Sequence, residues 1–460
     1  MYFYYFISII SFLFSLVFSD PLKLSFKSRF NKNNMNKENA MEMLINNDIF
    51  TQIEIGSNNQ IIEMNIKLQK DSTFLLSTSC RENIFSKKFN ENKSETYEIL
   101  LPNKTYYMYE FKDGIHSKDN IILLSNTTKI KINDFKFMLA TAIWDDFQKY
   151  MGGMIGLILS NKDDIPNDTD FITQLKSKKI IDSYIFMLDY KDNYNGVLYI
   201  GKYYHELDNK YSLDDFIRFK AGYEKSKVKY WEINIDKILT NNDIIQNETY
   251  IQFHYEMGIF ASPDFYHDYI KEEFFKKYLD NGACKEYLNE EKIAIFKKYD
   301  YIMCNKSDIK IENFPILFFF NRENNYNFSF NYKDLFYEFE NKVYFLVVFP
   351  RYPIDVKYWY IGKPFFLKYK LFMDKDNKII GLYKKYTNDE SEKDIIIQKN
   401  NKLNILYIVI IIVLIIILII VLYYFLVVKK IRKKRANEME DRYDYIPDSN
   451  DKKEKIINES

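Results

Sequence analysis

Short runs that alternate apolar and polar residues, or that concentrate β-branched and aromatic ones, recur along the chain and constrain its fold more than any other feature. Thr51 to Ile55, Ile61 to Leu68, Ile185 to Ile200, Ile251 to Phe260 and Tyr369 to Tyr383 all have the period-two pattern of strands. In the last run, KLFMD and KIIGLY flank the polar Lys375-Asp376-Asn377, which predicts a hairpin. Helical spacing is scarcer, at Asp170 to Ser177 and Tyr266 to Leu279, where Tyr269, Phe274, Phe275 and Tyr278 share a face. A sheet-rich chain follows.

The two ends predict a setting. Residues 1–19 are uncharged, apolar and aromatic, close on Val17-Phe18-Ser19, and are expected to be a signal peptide. Leu403 to Val428 carries no formal charge over 26 residues, about 39 Å as a helix, and the basic run KKIRKKR follows it. The expectation is one C-terminal transmembrane helix at 403–428, with the lipid bilayer as a partner and a cytosolic tail at 429–460. The chain is then a single-pass type I membrane protein of the secretory pathway or cell surface.

Between those ends lie about 380 residues, enough for two packed lobes. With 65 basic and 64 acidic residues the net charge is +1, which gives no global attraction to nucleic acid, and no nucleic-acid partner is expected. The three cysteines are too few for a disulfide scaffold. A secretory compartment allows Cys284 to pair with Cys304, leaving Cys80 free or intermolecular. There is no Cys/His spacing for a metal, and no cofactor is expected. Asn92, Asn103, Asn126, Asn167, Asn247, Asn305 and Asn327 head N-x-S/T sequons that suit a glycosylated surface.

An ordered series of segments resembles the pepsin-like aspartic protease family, which includes the plasmepsins and cathepsin D. TQIEIGSNNQ at Thr51 to Gln60 is similar to the family's first strand and hairpin, and FLLSTSC at Phe74 to Cys80 to the segment after the first catalytic loop. Tyr107 to Ile121 matches the flap in length, with Tyr107 at the flap tyrosine; GGMIGL at Gly152 to Leu157 resembles D-G-I-L-G-L. WYIGKPFFLKYKLFMDKDNKIIGL, Trp359 to Leu382, is the strongest match, and Cys284 and Cys304 resemble the second-lobe disulfide. The resemblance implies a mainly β, bilobal pepsin-like acid protease fold. Its expected divisions are a short prosegment-like region at 20–50, lobes at 51–206 and 229–385, a polar insertion at 207–228 and a stalk at 386–402.

Each lobe of that family supplies an Asp-Thr-Gly or Asp-Ser-Gly, because two carboxylates held close together share one proton and so act as base and acid on a water and a carbonyl. The two triplets fall here on Lys67-Leu68-Gln69 and His254-Tyr255-Glu256, so neither aspartate remains. Asp71 and Glu256 are the nearby acids to which a shifted register would assign the chemistry. Met108 and Glu110 replace flap glycines. The expectation is a pseudoprotease that binds a protein or peptide on the lumenal or extracellular side, with Phe74, Tyr107, Lys67 and His254 as candidate cleft residues. The alternative is an active aspartic endopeptidase of the secretory pathway.

Overall fold

The computed structural model describes residues 21–387, apart from 30–34, 37–38, 71, 81–85, 103–104, 107–110, 126–127, 144–151, 160–166, 223–229, 241–242, 291–297 and 352–357, together with 427–432. Residues 1–388 form one compact unit and 389–460 a second. The expected signal peptide at 1–19 lies outside the described residues, as does the expected stalk at 386–402 except for 386–387, which end the strand Ile379–Thr387.

Within the first unit the described residues build two large β-sheets, which agrees with the expected mainly β, bilobal architecture. The predicted strands are present as Ile49–Ile55, Gln60–Lys67, Ile185–Tyr190, Asn195–Ile200 and Asp243–Phe253. The predicted hairpin pairs Tyr369–Asp374 with Ile379–Thr387. Alternation accounts for the packing. In Gln60–Lys67, Ile62, Met64 and Ile66 point into the main core, and Asn65 and Lys67 therefore leave the opposite face. The helix at Phe171–Ser177 starts where Asp170 accepts a hydrogen bond from the Thr173 N–H (2.7 Å), an N-cap that satisfies an otherwise orphan donor. The second predicted helix divides into Asp264–Ile270, a π-helical turn at Lys271–Phe275, and Lys276–Asp280.

The first sheet is not confined to one end of the chain. Leu22–Ser28 pairs with Asn195–Ile200 and touches Ile49–Ile55, while the C-terminal strand Tyr369–Asp374 pairs with Ile185–Tyr190. Phe216–Lys220 then pairs with Ile379–Thr387. Two expectations change as a result. The 207–228 stretch contains a sheet strand with Ile217 and Phe219 in the core, and the prosegment-like region at 20–50 contributes a paired strand, Leu22–Ser28, to the sheet. In the second lobe Cys284 and Cys304 lie opposite each other on antiparallel strands and form the expected disulfide (S–S 1.99 Å). Cys80 is buried and outside any disulfide.

The C-terminal expectation is corrected. Among the described residues no helix is long and apolar enough to cross a membrane. Of the region around 403–428, residues 403–426 lie outside the described residues. Of the run itself only 427–428 is described, in a helical stretch at 427–432 that includes Lys429, Lys430 and Arg432. The transmembrane helix, the lipid bilayer as a partner and the single-pass type I placement fall together with it.

Candidate functional site

The site is built by one strand arrangement used twice. In the first lobe Gln60–Lys67 runs parallel to Gly153–Gly156, which is antiparallel to Phe74–Leu76, which is parallel to Lys129–Ile143. In the second lobe Asp243–Phe253 runs parallel to Tyr358–Ile361, which is antiparallel to Phe260–Ala261, which is parallel to Val347–Pro350. Lys67 closes the inner strand of the first set, and His254 follows directly on the inner strand of the second. Each position is also tied to the neighbouring strand through its backbone, in opposite senses. Leu157 N–H donates to the Lys67 carbonyl and His254 N–H to the Ile361 carbonyl, both at 2.9 Å.

A glycine at or just past the end of the neighbouring strand lets each following loop fold back. A Cβ on Gly156 would stand 2.5 Å from the Lys70 carbonyl oxygen, and one on Gly362 would stand 2.3 Å from those of Met257 and Ile259. Both glycines belong to segments that the sequence singled out, GGMIGL and WYIGKPFF.

Lys67 and His254 are each neutralised from within. The Lys67 ammonium donates to Asp48 Oδ1 at 2.6 Å, with both side chains about nine-tenths buried. His254 sets Nδ1 3.1 Å from Glu256 Oε1 and Nε2 3.0 Å from Gln252 Oε1, so both ring nitrogens are engaged by neighbours two positions away. Burial works to raise the Glu256 carboxyl. The charge and hydrogen bond of His254, joined by the charge of Lys67, outweigh it and hold the group down at about 2. Glu256 is therefore ionised across the physiological range. Its Oε2 is buried with no hydrogen-bond partner.

The same loops are tied to each other and to the N-terminal segment. Gln69 Nε2 donates to the carbonyls of Phe253 (2.7 Å) and Trp231 (3.1 Å), while its Oε1 accepts from the Trp231 N–H (3.1 Å). Trp231 in turn donates from Nε1 to the Leu157 carbonyl at 2.6 Å. On the other side, helix Ala40–Ile45 packs on the second loop, where a Cβ at Gly258 would lie 1.8 Å from the Leu44 carbonyl oxygen. Asn47 N–H donates to the Glu256 carbonyl (2.9 Å), and Asn47 Nδ2 donates to the Tyr255 carbonyl and the Tyr190 hydroxyl (both 3.0 Å).

Of the candidate residues, then, Lys67 and His254 reach equivalent places on the two lobes. Phe74 is fully buried and packs edge-on to Phe111 (5.5 Å) in a cluster with Leu76, Tyr106, Met138 and Met154. Tyr107 and Asp71 lie outside the described residues. Sequence reasoning missed Asn47 and Asp48, which precede the first predicted strand and carry no local signal. It also missed that Gln69, standing at a glycine position, bridges the lobes.

The arrangement offers an ammonium on a carboxylate and an imidazole on a carboxylate. Among the described residues it does not offer two carboxyls sharing a proton, since Glu256 is ionised and Asp48 is engaged by Lys67. Among the described residues no cluster of His, Cys, Asp and Glu is suited to hold a metal ion. Comparison with curated proteins finds no match. The family profile described as eukaryotic aspartyl protease matches residues 48–385, beginning at the Asp48 that neutralises Lys67 and ending within the last strand of the sheet. Most of the chain is covered by that match, and the chain belongs to the eukaryotic aspartyl protease family.

Proposed function

We propose that this chain is a non-catalytic member of its family, a pseudoprotease that works by binding a protein or peptide partner. One observation carries the reading. The two positions that match the catalytic aspartates hold Lys67 and His254, and each is closed into a buried pair with a carboxylate, Asp48 or Glu256. Peptide hydrolysis by this fold needs one carboxyl to give a proton while its neighbour takes one. A lysine has no acceptor when charged, and a glutamate held at about 2 has no proton to give.

The internal pairing also bears on where the partner meets the chain. Lys67, His254 and Phe74 are buried and engaged with their own neighbours, so recognition falls to surfaces outside that central network. The test is incubation of the purified chain with a broad peptide library between acidic and neutral pH, alongside partner capture by crosslinking. No cleavage, with a stoichiometric partner that survives Lys67→Met, supports the proposal. Cleavage that a statine-type inhibitor blocks and that Glu256→Gln or Asp71→Asn abolishes overturns it in favour of an active aspartic endopeptidase.

A further inference from the structure

Four strands of the second lobe place Asn247, Lys237, Phe320 and Asn327 in one cross-strand row, since Lys237 lies opposite both Asn247 and Phe320, and Phe320 lies opposite Asn327. Directly opposed residues project from the same face of a sheet. The adjacent row, Ile238, Phe319 and Phe328, is fully buried, so the first row faces outwards. Apolar side chains continue along that outer face. Ile244 is 50% exposed and Ile316 40%, and Leu239, Phe318 and Phe320 are part-exposed between them. Contiguous apolar surface of this kind calls for a cover.

Both ends of the row are exposed asparagines in sequons, Asn247-Glu248-Thr249 and Asn327-Phe328-Ser329. We propose that Asn247 and Asn327 both carry N-linked glycans, and that these sugars cover the apolar patch formed by Leu239, Ile244, Ile316, Phe318 and Phe320. A hexosamine presents C–H hydrogens on one ring face and hydroxyls at its rim, so it packs on an aromatic ring while keeping its polar groups in water. Phe320, directly across from Asn327, is placed to receive it.

The Cys284–Cys304 disulfide is a product of an oxidising compartment, where such transfer takes place. The donor is an oligosaccharide on a polyprenyl pyrophosphate. The bond from its anomeric carbon to the pyrophosphate oxygen breaks, a bond to the asparagine Nδ2 forms, Nδ2 loses one proton, and the lipid pyrophosphate leaves. Thr249 is completely buried in the folded chain, so transfer to Asn247 precedes closure of its hairpin. Asn305 provides a contrast. Its carboxamide is already used internally, donating to Asp308 Oδ2 (3.0 Å) and accepting from Lys342 Nζ (2.7 Å).

The experiment is glycopeptide mass spectrometry on the full chain purified from its own cells, with enzymatic release in heavy-oxygen water to mark each occupied asparagine as aspartate. Modification of both Asn247 and Asn327 in most molecules is the expected result, and an unmodified asparagine at either position overturns the proposal. The covering role is read separately, with an apolar dye on the Asn247→Gln/Asn327→Gln chain. Dye binding rises when the sugars are lost and falls back when Ile244→Ser and Phe318→Ser are added. Dye binding unchanged by loss of both glycans overturns the covering role.

Discussion

Lys67→Met tests the central network most directly. The ammonium lies 2.6 Å from Asp48 Oδ1, and at an effective dielectric of about 20 that separation gives a gross attraction of about 6 kcal/mol. Desolvation of two nearly buried ions consumes much of it, so the pair adds little net stability relative to apolar side chains of similar size. Breaking it from one side is different. Methionine takes the ammonium away from the buried Asp48 carboxylate and also removes a positive charge that helps to hold Glu256 ionised. The expected loss is about 3–5 kcal/mol. At roughly 2 °C per kcal/mol for a unit of this size, the melting temperature falls by about 6–10 °C. Urea unfolding and calorimetry on the single variant, and on Lys67→Met/Asp48→Leu, form the assay. The double variant should recover most of the loss, because it replaces the ion pair with apolar volume. A single-variant loss below about 1 kcal/mol, or a double variant no better than the single, would refute the buried-pair reasoning.

Glu256 makes the network acid-sensitive in a defined direction. Its carboxyl is held at about 2 in the folded chain against an ordinary 4.5, so its contribution is fully present above about 4.5 and is lost as pH falls towards 2. That shift is worth roughly 3 kcal/mol, and Glu256→Gln should flatten the difference between urea midpoints measured at pH values on either side of that window. Gln69→Ala takes the Gln69 hydrogen bonds from the Trp231 N–H and the Phe253 carbonyl inside the interlobe contact, at roughly 1–3 kcal/mol for each group left unpaired. Calorimetry should show one transition broadening or splitting, and an unchanged endotherm would remove Gln69 from the interlobe bond. Gly258→Ala drives a Cβ to 1.8 Å from the Leu44 carbonyl oxygen. It should free the N-terminal helix, read as faster amide exchange across Ala40 to Ile45, whereas the same change at Gly282, with nothing within 4 Å of its Cβ, leaves those amides protected.

Much of the fold was legible because strand patterns are local. Period-two burial in Gln60–Lys67, the polar turn between Leu371 and Leu382, and the capped helix after Asp170 each follow from residues a few positions apart. The like placing of Lys67 and His254, each at or just past the end of an inner strand, was legible for the same reason, since both lie at short, fixed distances from recognisable segments. Phe216–Lys220 was misread as a polar excursion because its partner, Ile379–Thr387, lies about 160 residues away and supplies the pairing that its composition does not suggest. The uncharged run at 403–428 shows the opposite failure. Composition alone predicted a spanning helix, and among the described residues no helix is long and apolar enough to cross a membrane.

The sequence by itself determined the strand content and the family, both of which are written in short-range spacing. Only the tertiary structure decided what surrounds Lys67 and His254. Asp48 is 19 positions from Lys67, Asn47 is 208 from Tyr255, and Gln69 is 184 from Phe253, and each contact exists because two sheets bring their inner strands to one centre. A buried charge must find a partner wherever folding places one, and no local pattern says where that will be.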